Sequence, residues 1–143
     1  MTISGAAALS REPTTRAGLP DERIALAGTT IGRYRFLKRL GRGGMSEVYV
    51  ADDLRARSQV AVKLLTRREE ESRRRFVHEF RVLAEVEHEN LVKAYHYGAT
   101  PNGEPYYTLE LLDGYSLNYW FDVHDRVAPA RVVRIGVQVC GAL

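Results

Sequence analysis

Apolar and polar positions alternate along three short stretches in the first half of the chain. Tyr34–Leu40 (YRFLKRL), Ser46–Ala51 (SEVYVA) and Gln59–Leu65 (QVAVKLL) carry the period of two expected of β-strands. Val48 and Val50 share one face of the second. Gly41, Gly43 and Gly44 join the first two strands, so this part predicts a β-hairpin. The period then changes. Phe76, Phe80 and Leu83 fall at i, i+4 and i+7, an inward stripe on a helix that ends near Glu87. Thr66 followed three residues later by Glu69 matches a capping box at its start. Glu69, Glu70 and Glu71 each precede an arginine, Arg73, Arg74 and Arg75, by four residues. Such pairs contribute about 0.2–0.5 kcal/mol each on a solvated helix. Leu91–Tyr97 and Tyr106–Leu111 predict two further strands, joined through TPNGEP, where Asn102-Gly103 signals a hairpin turn. The run LLDGYSLNYWF is ambiguous. Pro129 opens a last helical pattern, APARVVRIGVQVCGAL.

Composition narrows the class. The 143 residues are 45% hydrophobic, enough for one globular domain with a real core. The net charge is only +3, from 21 basic and 18 acidic side chains mixed along the chain. That leaves no footprint for nucleic acid or an anionic membrane. A single cysteine, Cys140, excludes an internal disulfide and suits a reducing, cytoplasmic setting. Four histidines, at 78, 88, 96 and 124, have no metal-ligand spacing, so no metal site is expected. No apolar run approaches the ~20 residues of a membrane span. Residues 1–30 lack the pattern of a signal peptide and read as a disordered extension.

Three features could carry chemistry, and each also has a bland reading. The glycine cluster in LGRGGMSEVYVADD is either an ordinary hairpin or a backbone that a ligand approaches closely. A dinucleotide fold would place a helix after the glycines, whereas SEVYVA has strand character. The Gly-Lys-Ser/Thr ending of a P-loop is absent. Lys63 shares a strand face with Ala61 and Leu65, so it sits on an edge or has a partner. Glu79 lies near Leu83 and Val86 on the helix stripe, so it reaches solvent from the rim or is paired, since a buried lone carboxylate is costly. A Lys63–Glu79 ion pair would resolve both oddities.

The order of these features is more specific than any member. A glycine hairpin, then V-A-V-K on the next strand, then a helix with an inward glutamate, resembles the start of the protein kinase signature. From Ile31 onward the chain resembles the ATP-binding lobe of serine/threonine protein kinases, closest to the bacterial, eukaryotic-like branch. HEFRVLAEVEHENLVKAYHYG is similar to that family's helix C and fourth strand, and PYYTLELLDGYSL to its fifth strand and hinge.

The resemblance implies an α+β fold, a five-stranded antiparallel sheet with helix C, over residues 31–112. Residues 113–143 would be the hinge exit and first helices of a second lobe. Backbone amides of Gly41, Gly43, Gly44 and Ser46, with Arg42 between them, would cover the phosphates of ATP. Leu40, Val48 and Ala61 would sandwich the adenine, and Leu109 would be the gatekeeper. Glu110 and Leu112 would offer backbone groups to the adenine edge, with Ser116 near the ribose. Lys63 would bind the α- and β-phosphates, oriented by Glu79. On local sequence alone, Asp113-Gly114 could instead turn another hairpin. Ser46 stands where the family often has a third glycine. The separation of Lys63 from Glu79 is 16 residues, a little short, to be absorbed before the helix; otherwise Glu85 is the second choice.

The catalytic H-R-D-x-x-x-x-N and the metal-binding D-F-G do not occur in these 143 residues; His124-Asp125-Arg126 has the wrong order. The expectation is a kinase fragment, inactive alone, whose Mg2+ ligands lie elsewhere in a longer enzyme. Val132, Val133, Val137, Val139 and Leu143 would then be an exposed apolar patch. The alternatives are a non-catalytic nucleotide-binding or interaction module and an unrelated β-rich binding domain. The protein substrate is not legible.

Overall fold

The computed structural model describes residues 26–123 and 128–142. Residues 1–25, residues 124–127 with the His124-Asp125-Arg126 run, and Leu143 therefore lie outside the described residues. The elements in chain order are β1 (Thr30–Ile31), β2 (Tyr34–Arg42), β3 (Ser46–Asp53), β4 (Ser58–Leu65), α1 (Glu70–Glu85), β5 (Ala94–Ala99), β6 (Pro105–Glu110), α2 (Leu117–Val123) and α3 (Pro129–Gly141). The strands form one antiparallel sheet in the order β1-β2-β3-β4-β6-β5. The five expected strands are all present, and the two-residue β1 adds a sixth at one edge.

That edge begins earlier than the pattern suggested. Leu26 packs on the core, the Gly28 amide donates to the Phe36 carbonyl (2.8 Å) and Thr30 pairs with Arg35. Residues 26–30, read as part of the extension, are thus in the fold.

Strand alternation sorts the apolar residues onto two faces. One face gathers Tyr34, Phe36, Tyr49, Ala51, Val60, Val62 and Tyr106 into an aromatic-rich cluster. The other gathers Ala61, Leu65, Tyr107 and Leu109 beneath Phe76 of α1, with Phe80 and Leu83 beside it. The predicted helix stripe is therefore the surface that docks on the sheet. Glycine matters at two points. Gly98 lets the Tyr106 ring lie where a β-carbon would be only 2.7 Å away. Gly103 takes φ +82°, and its amide donates to the Thr100 carbonyl. Asn102 keeps a negative φ, so the β5–β6 hairpin uses a type I turn followed by a left-handed glycine.

The helix start differs from the expected capping box. Glu69 is the N-cap residue, without a side-chain cap bond, and α1 begins at Glu70. The Thr66 amide donates to the Met45 carbonyl (2.9 Å), and Arg67 Nε donates to the Gly44 carbonyl (2.7 Å). These bonds to the glycine hairpin keep residues 66–69 out of the helix. Two of the three helix pairs form, Glu70–Arg74 (3.2 Å) and Glu71–Arg75. Glu69 meets Arg67 and Ser72 instead.

The run after β6 makes no second hairpin. Residues 111–116 are irregular and Leu117–Val123 is helical. Ser116 caps this helix, its Oγ accepting from the Tyr119 amide (3.1 Å). The Arg131 guanidinium lies 4.6 Å from the Trp120 ring centroid, joining α3 to α2. No helix among the described residues is long and apolar enough to cross a membrane.

Candidate functional site

One cross-strand row organises the site. Gly41 faces Val48, Val48 faces Lys63, Lys63 faces Tyr107 and Tyr107 faces Tyr97, spanning β2, β3, β4, β6 and β5. Residues opposite one another in a sheet project to the same side. Lys63 therefore stands on the face that α1 covers, and β4 is flanked on both sides, so the edge reading of this lysine is excluded. Its Nζ reaches Glu79 Oε1 at 2.6 Å, and the two side chains are 12% and 32% exposed. Two anomalies of the pattern are one ion pair. The irregular residues 66–69 absorb the short spacing, and Glu85 is exposed and plays no part in the pair.

A second row runs parallel to the first: Val50, Ala61, Leu109 and Ala94. Ala61 and Leu109 are fully buried, and Val48 and Leu112 pack on the same cluster. Leu40 is half-buried at the end of β2. The Glu110 amide donates to the Lys93 carbonyl (2.9 Å), which ties the end of β6 to the segment before β5.

The glycine hairpin joins β2 to β3 just beyond the first of these rows. The Gly43 amide donates to the Ser46 carbonyl (2.7 Å), so it is engaged within the hairpin. None of Gly41, Gly43 and Gly44 has a positive φ. A β-carbon on Gly41 or Gly44 would meet nothing within 4 Å, and on Gly43 only Ser46 at ordinary contact distance. Neither backbone conformation nor internal packing calls for these glycines. What they leave is bare backbone facing open space.

A buried carboxylate braces the hairpin from the opposite face. Glu47 is 2% exposed, yet it is acidic. Its Oε2 accepts from the Tyr49 hydroxyl at 2.6 Å, while Arg39 and Arg42 approach Oε1 at 3.4 and 3.6 Å. Arg42 thus turns its side chain to Glu47, and both strands of the hairpin are tied to one carboxylate. A buried charge is tolerated when paired and hydrogen-bonded in this way. Sequence reasoning missed Glu47, because in SEVYVA it reads as an outward-facing polar position. The signal was Arg39 and Arg42 on the preceding strand.

Residues 34–143 match the family model of the protein kinase domain. The chain belongs to the protein kinase family. Serine/threonine-protein kinase Pkn1 of Myxococcus xanthus is 40% identical over 121 residues, 82% of this chain and 17% of that protein. PknB of Mycolicibacterium smegmatis, also a serine/threonine-protein kinase, is 38% identical over 117 residues, 78% of this chain and 19% of that protein. The chain spans less than a fifth of these curated relatives. Among crystal structures, the PknI kinase domain of Mycobacterium tuberculosis superposes with a TM-score of 0.67 at 27% identity, over 81% of this chain and 48% of that one. The sheet with α1 is therefore a kinase fold, in line with the sequence resemblance.

Within this kinase fold, the structure brings Lys63, Glu79, Val48, Ala61 and Leu109 onto one face below the hairpin. Ser116 lies apart from that cluster in sequence and in role, with its hydroxyl engaged at the start of α2. Among the described residues no three His, Cys, Asp or Glu side chains converge where a metal ion could sit.

Proposed function

We propose that residues 31–112 are the ATP-binding lobe of a protein serine/threonine kinase, with residues 113–143 the hinge exit and first helices of its second lobe. The observation that carries this reading is the Lys63–Glu79 ion pair, set in the same sheet row as Gly41 of the hairpin. An ammonium on a central strand, oriented by a helix glutamate, can meet a phosphate that enters beneath bare backbone. The hairpin fits such a ligand. Its glycines leave space that β-carbons on Gly41 and Gly44 would enter, and nothing in the protein fills it.

ATP with Mg2+ supplies the transferable phosphoryl group and part of the charge neutralisation. This chain's residues would bind and orient. Lys63 would hold the α- and β-phosphates, and Glu79 would hold Lys63. The backbone of Gly41, Arg42, Gly44 and Ser46 would cover the phosphates, the Gly43 amide being engaged with Ser46. Leu40, Val48 and Ala61 would enclose the adenine, with Leu109 as gatekeeper. Because the Glu110 amide donates to Lys93, any contact of Glu110 with the adenine edge falls to its carbonyl. Leu112 would offer its backbone next to it. Ser116 would reach the ribose only through the capacity its capping bond leaves.

The test is nucleotide binding by calorimetry. The wild-type chain is expected to bind Mg2+-ATP, and Lys63→Met to bind roughly tenfold or more weakly, the size of a lost hydrogen bond between charged groups. Equal binding by both would overturn the reading. The chain alone should not phosphorylate a basic protein, since it carries no H-R-D or D-F-G sequence. Turnover that Lys63→Met abolishes would refute that part.

A further inference from the structure

The least explained group near the ion pair is the hydroxyl of Tyr107. The ring is fully buried between sheet and helix, 4.8 Å from the Phe76 centroid and 5.6 Å from that of Phe80. Lys63 Nζ lies 5.6 Å from the ring centroid, and Lys63 is Tyr107's partner across the strands. Its Oη is buried and is the one such side-chain atom among the described residues without a hydrogen-bond partner. An unsatisfied buried hydroxyl is destabilising, and phenylalanine would fill the same space without it. A tyrosine here therefore calls for a reason beyond packing.

Glu79 supplies one. It sits between Phe76 and Phe80 on α1, the two residues that grip the ring. Burial first, then the negative charge of Glu79 and the close approach of its carboxylate to the hydroxyl, raise the pKa of the Tyr107 phenol far above its ordinary value. The hydroxyl stays protonated, a donor beside an acceptor, although no hydrogen bond of normal geometry joins them while Lys63 Nζ holds Glu79 Oε1 at 2.6 Å.

We propose that Tyr107 is a positioning residue for Glu79: its buried hydroxyl is a waiting donor that takes up the carboxylate when Lys63 turns toward a phosphate. The helix then stays docked while the lysine shares its charge with the ligand. No bond is made or broken beyond the exchange of one hydrogen-bond donor for another at Glu79. The ligand half of this inference rests on the ATP-binding reading above. The donor half does not, because removing the Lys63 ammonium should call on Tyr107 in the same way.

Tyr107→Phe in the full chain separates the possibilities. Without nucleotide, its urea midpoint should equal or exceed that of wild type, since only an unsatisfied hydroxyl is lost. Its affinity for Mg2+-ATP should nonetheless fall, by roughly tenfold. A passive buried tyrosine predicts unchanged or tighter binding, and that result overturns the proposal. A nucleotide-free cycle tests the donor directly. In a Lys63→Met background, or Lys63→Gln if that variant does not fold, Tyr107→Phe should lower the midpoint, reversing its sign. The same shift in both backgrounds overturns the proposal. If wild type binds no ATP, the functional reading fails by itself and the stability cycle decides Tyr107 alone.

Discussion

Val60 and Val62 in β4 are 5% and 0% exposed, whereas Val133 and Val137 in α3 are 64% and 66% exposed. The same side chain is core in one region and surface in the other. β4 has a strand on each side and an apolar cluster on each face, so every direction is covered. α3 buries only Ile135 among its described residues, and Val132 and Val139 are exposed beside Val133 and Val137. The expected patch is thus present, apart from Leu143, which lies outside the described residues. Burial of apolar area is the main favourable term in folding, about 25 cal/mol per Å2. The sheet with α1 therefore holds the stability of the chain, and α2 and α3 add little to it. The contrast also locates the candidate chemistry, because the Lys63–Glu79 pair lies wholly in the well-covered region.

The largest test of this contrast is Phe76→Ala. Phe76 is fully buried against Tyr107 and is the residue by which α1 grips the sheet. Truncating a buried phenylalanine costs about 3–5 kcal/mol through lost transfer energy and the cavity left behind. Urea unfolding followed by circular dichroism should show that loss, and Mg2+-ATP binding should weaken with it as Glu79 loses its place. A loss under 1 kcal/mol would mean that α1 is not docked in solution, and the two regions would no longer differ.

A smaller effect is expected at Glu47. Glu47→Gln keeps an acceptor for the Tyr49 hydroxyl but removes the charge that draws Arg39 and Arg42. The loss should be about 1–3 kcal/mol, as for other buried groups left poorly matched. Hydrogen exchange should sharpen the origin. The Gly43 amide, bonded across the hairpin, should exchange faster in the variant, while amides of α1 change less. Uniform acceleration would place Glu47 among general core contacts instead of in a brace of the hairpin.

The strands and α1 were legible because each rests on a period, whereas the ion pair also needed the order of motifs that resembles a kinase, since spacing left open an edge position for Lys63 and a rim position for Glu79. Lys63 and Glu79 break apolar patterns of known period, so their faces follow from spacing alone. Glu47 and Tyr107 were not legible in that way. Their partners lie across the sheet or on α1, and strand register is not written in a single strand's alternation. The capping box failed for a related reason. Thr66 and Arg67 bond the glycine hairpin, a tertiary contact that overrides the local helix signal. The hinge run was ambiguous because Asp113-Gly114 suits a turn, and the capping role of Ser116 emerges only once residues 117–123 are seen to be helical.

Val133→Ser probes the other side of the contrast and should do least. Surface substitutions away from special features usually stay within about 0.5 kcal/mol. The single tryptophan gives a local readout, since Trp120 lies in α2 under Arg131 of α3. In wild type, Trp120 fluorescence should change at lower urea than the circular dichroism of the sheet, because a helix as short as α2 is marginal without packing. In Val133→Ser the sheet transition should not move. An open valine patch also favours self-association, so the variant should elute more nearly as a monomer at high protein concentration. A loss of more than 2 kcal/mol would instead show Val133 to be covered in solution. If that loss grew with protein concentration, the cover would be a second copy of the chain, and α3 would belong with the sheet as a region stabilised by burial.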